Sequence, residues 1–475
     1  MKVTKNPQQN RRAYAINIVP HYHHSCEAAS SKIQQFFAEF HVGQILRRCN
    51  AYKLRGFAVM AIFLVAFEAV FQRRSFYQRK KDAPKSIPFE RDTFYRFLNS
   101  CAIHWRKFTL LLGTAVIQKA IAPLTSEARR NVLIIDDSLF SRNRSKKVEL
   151  LARVYDHVSG TYVKGFRMLT LGWSDGNTFL PLSHCLLSSS SKQQQLQGAS
   201  EDVDPRSNGG KQRRLAQCKA PEVVLTLLRE VREAGVPAQH VLFDSWFCSP
   251  ASLHQIHELG YDVIARVKKS EKMHFCFQGR MQDVKTIYRG QKKRRGRSAY
   301  LLSVEAEAVK DGKHLPVRLV YVRNKNKRSD YLVLVSTDLT LSEEEIIQTY
   351  GKRWNIEVFF KMCKSYLKLG KETRSISYDA LTAHTAIVFA RYMMLALEQR
   401  RNMDERSLGE LFYLTIDELE DLRYLDALAS LLSLLMDCAK EAEILDEEQI
   451  NQLLDLFVAK LPDLWGKVPE TVCMM

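Results

Sequence analysis

The chain has 475 residues, 46% of them hydrophobic and 26% charged, which is enough for two or three compact units around sizeable cores. Lys and Arg total 71 against 52 Asp and Glu, a formal charge of +19 that points to a polyanionic partner, nucleic acid first, although ribosomal and membrane-surface proteins share such a balance. Ten cysteines with no CxxC pair and no secretory leader argue against a disulfide framework and fit a reduced, intracellular setting.

From the start to about Ile121 apolar residues recur at three- and four-residue spacing, through Ile33–Ile45 and Phe57–Phe71, which predicts helices. The longest apolar run, Gly56–Phe71, is shorter than the roughly 20 residues a membrane span needs and contains Glu68, so it reads as a buried helix. Basic clusters flank it at Arg47-Arg48 and from Arg73-Arg74 to Lys80-Lys81; they suit phosphates and equally suit a solvated face. His21, His23, His24 and Cys26 lack a second half-site at zinc-ligand spacing, which argues against a metal site there.

At Asn131 the texture changes. Val132–Ile135 reads as a strand that stops at Asp136-Asp137-Ser138, and further strands are predicted at Tyr162–Trp173 and Thr178–Leu182 around a Ser174-Asp175-Gly176-Asn177 turn. Residues 187–213 are too polar to bury and read as a mobile loop. Lys219–Ala234 follows as an amphipathic helix, and a short strand, His240–Phe243, runs into Asp244. After a strand at Tyr261–Val267 the pattern stays mainly β to about Ser336, broken by the basic loop Lys292, Lys293, Arg294, Arg295. A capping sequence at Ser342–Glu345 opens a helix from Ile346 to about Leu367, and from Leu408 to Trp465 the chain is Leu-rich, acidic and helical.

Asp137 and Asp244 both end apolar strands, where side chains of neighbouring strands meet at one sheet edge. Carboxylates converging from distant positions are what phosphodiester chemistry requires to hold divalent cations. Tyr350, Arg353, Glu357, Lys361 and Lys364 are spaced to share one face of a helix, which as a pattern also describes a solvated surface with internal ion pairs. No GxxxxGK[ST] sequence occurs, so nucleotide-driven chemistry is unsupported.

Tyr350, Arg353, Glu357 and Lys364, within TYGKRWNIEVFFKMCKSYLKLG, resemble the Y-R-E-K signature of the DDE transposases of the fourth insertion-sequence family and its relatives. The resemblance extends to NVLIIDDSLF and VLFDSWF and covers about residues 130–395. It implies an RNase H-like core in which Asp137, Asp244 and Glu357 are the catalytic, metal-binding acids, Asp137 being preferred because it directly precedes Ser138 and Asp136 standing as the alternative. It further implies phosphate contacts for Tyr350, Arg353 and Lys364, with Lys361, Arg266 and the loop Lys292–Arg295 as further DNA-binding residues. Family members usually carry a small residue two positions after the second acid and an aromatic beyond it, whereas this chain has Trp246 and then Phe247.

The resulting expectation is a mixed α/β protein. Residues 1–125 form a helical DNA-binding region, 126–395 an RNase H-like catalytic domain with a β-rich insertion at about 268–340, and 396–475 a helical C-terminal segment. The resemblance implies Mg²⁺, with Mn²⁺ as a substitute, and double-stranded DNA partners: terminal inverted repeats and target DNA. It also implies a homodimer on DNA, no membrane, and a bacterial, cytoplasmic, nucleoid-associated setting. The competing readings are an inactive DNA-binding relative and a stand-alone RNase H-like nuclease.

Overall fold

A computed structural model describes residues 32–401, apart from 83, 127–128, 157–158, 192, 296–297 and 325–329, together with Gln449. The histidine group at 21–26 and nearly all of the acidic tail at 408–465 lie outside the described residues. Two units are distinguished, Phe36–Phe412 and a second made of Met1–Gln35 with Tyr413–Met475; every element below belongs to the first.

The N-terminal part is helical: α1 (Val42–Arg48), α2 (Val59–Glu68), α3 (Phe76–Asp82), α4 (Arg91–Leu98) and α5 (Trp105–Val116). Aromatic side chains fill the space between them, with Phe63 set against Phe37, Phe67, Trp105 and Phe108 at ring separations of 5.4–6.4 Å. Beyond α5 the chain passes through a π-helical turn at Ile117–Ile121 and enters the sheet.

Eleven strands form one mixed sheet. The first four are β1 (Val132–Ser141), β2 (Ala152–Asp156), β3 (Thr161–Ser174) and β4 (Phe179–Leu187). β3 runs antiparallel to β1, while β2 and β4 pair with successive stretches of its other edge. Gly176 takes a left-handed φ of 101° in the β3–β4 turn, where the buried Asp175 accepts from the amides of Asn177 and Thr178 at 2.9 and 2.8 Å. Two helices, α6 (Asn208–Ala216) and α7 (Ala220–Glu233), lead to β5 (His240–Phe243), and α8 (Pro250–Glu258) leads to β6 (Asp262–Arg266). β5 lies parallel to β1 and β6 parallel to β5, the arrangement expected of apolar strands covered by helices on both faces.

A β-rich segment then extends the same sheet: β7 (His274–Phe277), β8 (Arg280–Asp283), helix α9 (Val284–Gly290), β9 (Tyr300–Lys310), β10 (Lys313–Arg323) and β11 (Tyr331–Ser336). β11 returns antiparallel to β6, so the segment starts and ends beside the parallel strands. Helices α10 (Glu343–Gly351), α11 (Trp354–Ser365) and α12 (Tyr378–Arg401) complete the unit. α12 is long and apolar enough to cross a bilayer, but its whole apolar window is buried against α2, α4, α5, α11 and β4.

Two expectations need correction. Residues 208–213 do not belong to a polar loop: they open α6, and Arg213 is buried between Glu149 and Asp379, donating from Nη2 to each at 2.8 Å. Gly209 makes this possible, since a Cβ there would lie 2.5 Å from Asp379 Oδ1. Nor is there one helix from Ile346 to Leu367. The chain tightens at Lys352-Arg353, where Lys352, Arg353, Asn355 and Ile356 donate three residues back at 3.0–3.2 Å, dividing α10 from α11. Lys352 Nζ donates to Arg130 O at 2.6 Å and Asn355 Nδ2 to Ser174 Oγ at 3.0 Å, which pins this tight turn to the sheet.

Candidate active site

The parallel register pairs Ile135 with Phe243, the residues just before Asp136 and Asp244. Side chains alternate along a strand, so Asp136 and Asp244 leave their strands at the same end and toward the same face. That face receives α11: Lys364 Nζ donates to Ser138 Oγ at 2.6 Å, two residues beyond Asp136. Arg353, at the start of α11, donates from Nη1 to Asp136 Oδ2 at 3.0 Å and from Nη2 to Glu357 Oε1. One guanidinium thus joins the first strand's acid to the acid of the helix.

Burial raises the Asp136 carboxyl, Arg353 and the Asp137 amide counteract it, and the nearby charges of Asp244 and Asp137 raise it further; the net result is a carboxyl pushed up to about 7. Asp244 Oδ1 accepts from the Trp246 amide at 2.8 Å, which fixes its rotamer. Tyr350, at the end of α10, is pushed up to about 12 by burial, opposed by Arg353, raised by Asp244 and lowered by Arg266, so its hydroxyl stays protonated at neutral pH. Phe243 pairs with Ala265, so Asp244 and Arg266 leave β5 and β6 side by side, and the Arg353 guanidinium lies 5.9 Å from the centre of the Tyr350 ring.

Asp137 is placed differently. It points to the opposite face of β1, where Arg167 of β3 donates to its Oδ2, and the Arg167 guanidinium lies 4.8 Å from the centre of the Trp246 ring. Asp137, the acid the resemblance prefers, thus faces away from Arg353 and Glu357, whereas Asp136, the alternative, faces them, because adjacent residues of a strand face opposite ways. Lys361 is exposed on α11. The loop Lys292–Arg295 makes its contacts within the β-rich segment: Lys293 lies 4.7 Å from the centre of the Tyr288 ring and Arg294 4.4 Å from that of Tyr300. Arg167 escaped the sequence reading, in which it is one of two basic residues, with Lys164, of a largely apolar strand.

Among the described residues, the ligand atoms of His240, Asp262 and Asp338 gather within 4.8 Å of one another; those of Asp136, Asp244 and Glu357 do not, since Arg353 lies between the first and third. The donor set nevertheless fits a divalent cation: it is all oxygen, and the burial that chiefly raises Asp136, with the smaller repulsion from Asp244 and Asp137, is what a cation would offset.

The chain matches the DDE superfamily endonucleases over residues 35–328, more than half its length, and belongs to that family. Membership brings with it a nuclease or transposase class of activity, DNA as substrate and divalent metal as cofactor. The match covers Asp136, Asp137 and Asp244 and stops before Glu357. No curated protein matches the chain.

Proposed function

We propose that this DDE superfamily endonuclease is a cut-and-paste DNA transposase with Asp136, Asp244 and Glu357 as its catalytic acids. The observation that carries the reading is the in-register exit of Asp136 and Asp244 from parallel strands, with Glu357 tied to Asp136 through Arg353. Arg353, Tyr350, Arg266 and Lys364 around the acids would hold the oxygens of a phosphodiester, and the acids would hold the divalent metal of the family. The sheet supports an RNase H-like core: β4-β3-β1-β5-β6, with β3 antiparallel to β1 and both β5 and β6 parallel to it.

In this reading residues 1–125 bind the transposon ends, 126–395 carry the chemistry, the β-rich segment at about 268–340 lies along DNA, and 396–475 contribute to pairing two chains. The three acids would hold Mg²⁺ or Mn²⁺, which when bound would supply activation of the attacking oxygen and stabilisation of the leaving one. Arg353, Tyr350 and Lys364 grip non-bridging phosphate oxygens. In the first step the oxygen of water bonds to phosphorus and the bond to the 3′ oxygen opens, leaving a 3′ hydroxyl. In the second, that hydroxyl attacks a phosphorus of target DNA and one phosphodiester replaces another, so no nucleotide is consumed.

The test is cleavage and strand transfer with Mg²⁺ on DNA bearing the element's own ends, comparing the intact chain with Asp136→Asn, Asp244→Asn and Glu357→Gln. Loss of both steps in all three variants, with DNA binding kept, supports the proposal. Cleavage without joining by the intact chain would favour a stand-alone nuclease, and binding without cleavage an inactive relative.

A further inference from the structure

At the other end of β5 from Asp244 lies a second group of metal-ligating side chains. His240, the first residue of β5, and Asp262, the first of β6, are register partners on parallel strands and so share a face. Asp338 follows β11, whose pairing with β6 continues past Ser336 through the amide of Thr337, donating to Val263 O at 3.1 Å. Three adjacent strands thereby deliver one imidazole and two carboxylates whose ligand atoms all lie within 4.8 Å of one another.

The donors are already oriented. Asp338 Oδ1 accepts from the amide and hydroxyl of Thr340 at 2.9 and 2.6 Å, which turns Oδ2 toward His240 Nε2 at 2.9 Å. Thr337 Oγ1 donates to Asp262 Oδ1 at 2.9 Å. Hydroxyls and amides that fix ligating carboxylates in this way are what outer partners of a metal centre do. His240 is 2% exposed, so packing holds its Nε2 in place beside Asp338 Oδ2. His257 Nδ1 stands 3.6 Å from Asp262 Oδ1, both side chains being partly exposed to solvent.

We infer that His240, Asp262 and Asp338 form a zinc site that clasps β5, β6 and β11 together, separate from the catalytic acids. Adjacent ligands on a tetrahedral zinc with bonds of about 2.0–2.1 Å stand about 3.3 Å apart, an edge that the 2.9 Å between His240 Nε2 and Asp338 Oδ2 meets with a small opening. An imidazole among the donors selects zinc over magnesium, which prefers all-oxygen sites and retains its waters. About 13 Å of strand, the four residues of β5, separates this group from Asp244.

The experiment uses the full chain stripped with chelator and titrated with ZnCl₂ by calorimetry, then with CoCl₂ by visible absorption, in 5–10 mM MgCl₂, on the order of the millimolar levels that saturate carboxylate sites. The expected result is one zinc per chain, unaffected by magnesium, retained in Asp244→Asn and Glu357→Gln, and weakened at least about 100-fold in Asp338→Asn and in His240→Gln. Cobalt should give the intense absorption of a tetrahedral centre in the intact chain and lose it in Asp338→Asn. Asp338→Asn keeps the shape of the partly exposed side chain, so a folding failure of His240→Gln leaves the comparison intact. No zinc binding, zinc binding unchanged in Asp338→Asn, or zinc lost instead on replacing His23 and His24 would each overturn the site.

Discussion

Arg353 reaches back from the start of α11 to donate to Asp136 at 3.0 Å, across 217 positions of sequence. The same guanidinium holds Glu357, so the positive charge nearest the acids belongs to the protein itself. A divalent cation entering there competes with Arg353, and a DNA phosphate that draws Arg353 away favours the cation. Arg353→Gln should therefore tighten Mn²⁺ binding to the DNA-free protein several-fold while lowering cleavage at least about 100-fold, an effect typical of losing a charge-stabilising donor. Calorimetry with Mn²⁺ and a cleavage assay read the two halves; weaker Mn²⁺ binding would show that Arg353 supports the acids rather than competing with the ion.

The two neighbouring acids of β1 separate by face. Asp136→Asn should abolish cleavage, whereas Asp137→Asn, which loosens Arg167 and its stacking on Trp246, should keep cleavage within about tenfold and alter DNA affinity instead. Single-turnover cleavage beside a filter-binding isotherm separates the effects, and the reverse pattern would restore Asp137 as the acid of the centre.

Asp136 also sets a pH dependence. Its carboxyl titrates near 7 in the fold against an ordinary 3.8, so the folded chain binds the extra proton between those values. The stability tied to that proton is fully present below about pH 4 and is lost as pH rises through about 7, on the order of 1–4 kcal/mol in all. Asp136→Asn should accordingly raise the denaturation midpoint at pH 8 and leave it nearly unchanged at pH 4; equal effects at both pH values would contradict the shift.

Arg213, enclosed by Glu149 and Asp379, ties α6 to the start of α12 and to the segment before β2. Replacing it with Met strands two buried carboxylates and should cost about 3–5 kcal/mol. Urea denaturation followed by circular dichroism measures this, and a loss under about 1 kcal/mol would mean that water reaches the acids.

Lys364 donates to Ser138 on the acid face, and burial lowers its ammonium from the usual lysine range. Lys364→Ala should weaken binding to transposon-end DNA and reduce the slope of log affinity against log salt by about one, as expected for one lost phosphate contact. An unchanged slope would assign Lys364 to packing alone.

Much of the molecule was legible in the chain. The strands at Val132, His240 and Tyr261 announce themselves as short apolar runs between turn residues, Asp244 is marked by its place at a strand end, and Glu357 is singled out by the resemblance of its helix to the Y-R-E-K signature. Those signals are local, and local chemistry survives in sequence. Asp136 and Asp137 are not told apart locally: both end the same apolar run, and it is the parallel pairing with β5 and the approach of α11 that put Asp136 on the face Arg353 reaches. The role of the polar stretch around Arg213 was hidden for the same reason. Its charge reads as solvated until Glu149 and Asp379, 64 positions before it and 166 after, close around it. What the sequence determined by itself is most of the strands and helices and the ionisable groups; which groups meet, and where α6 begins and α10 gives way to α11, was decided by the tertiary structure, because burial and pairing bring together charges that lie far apart along the chain.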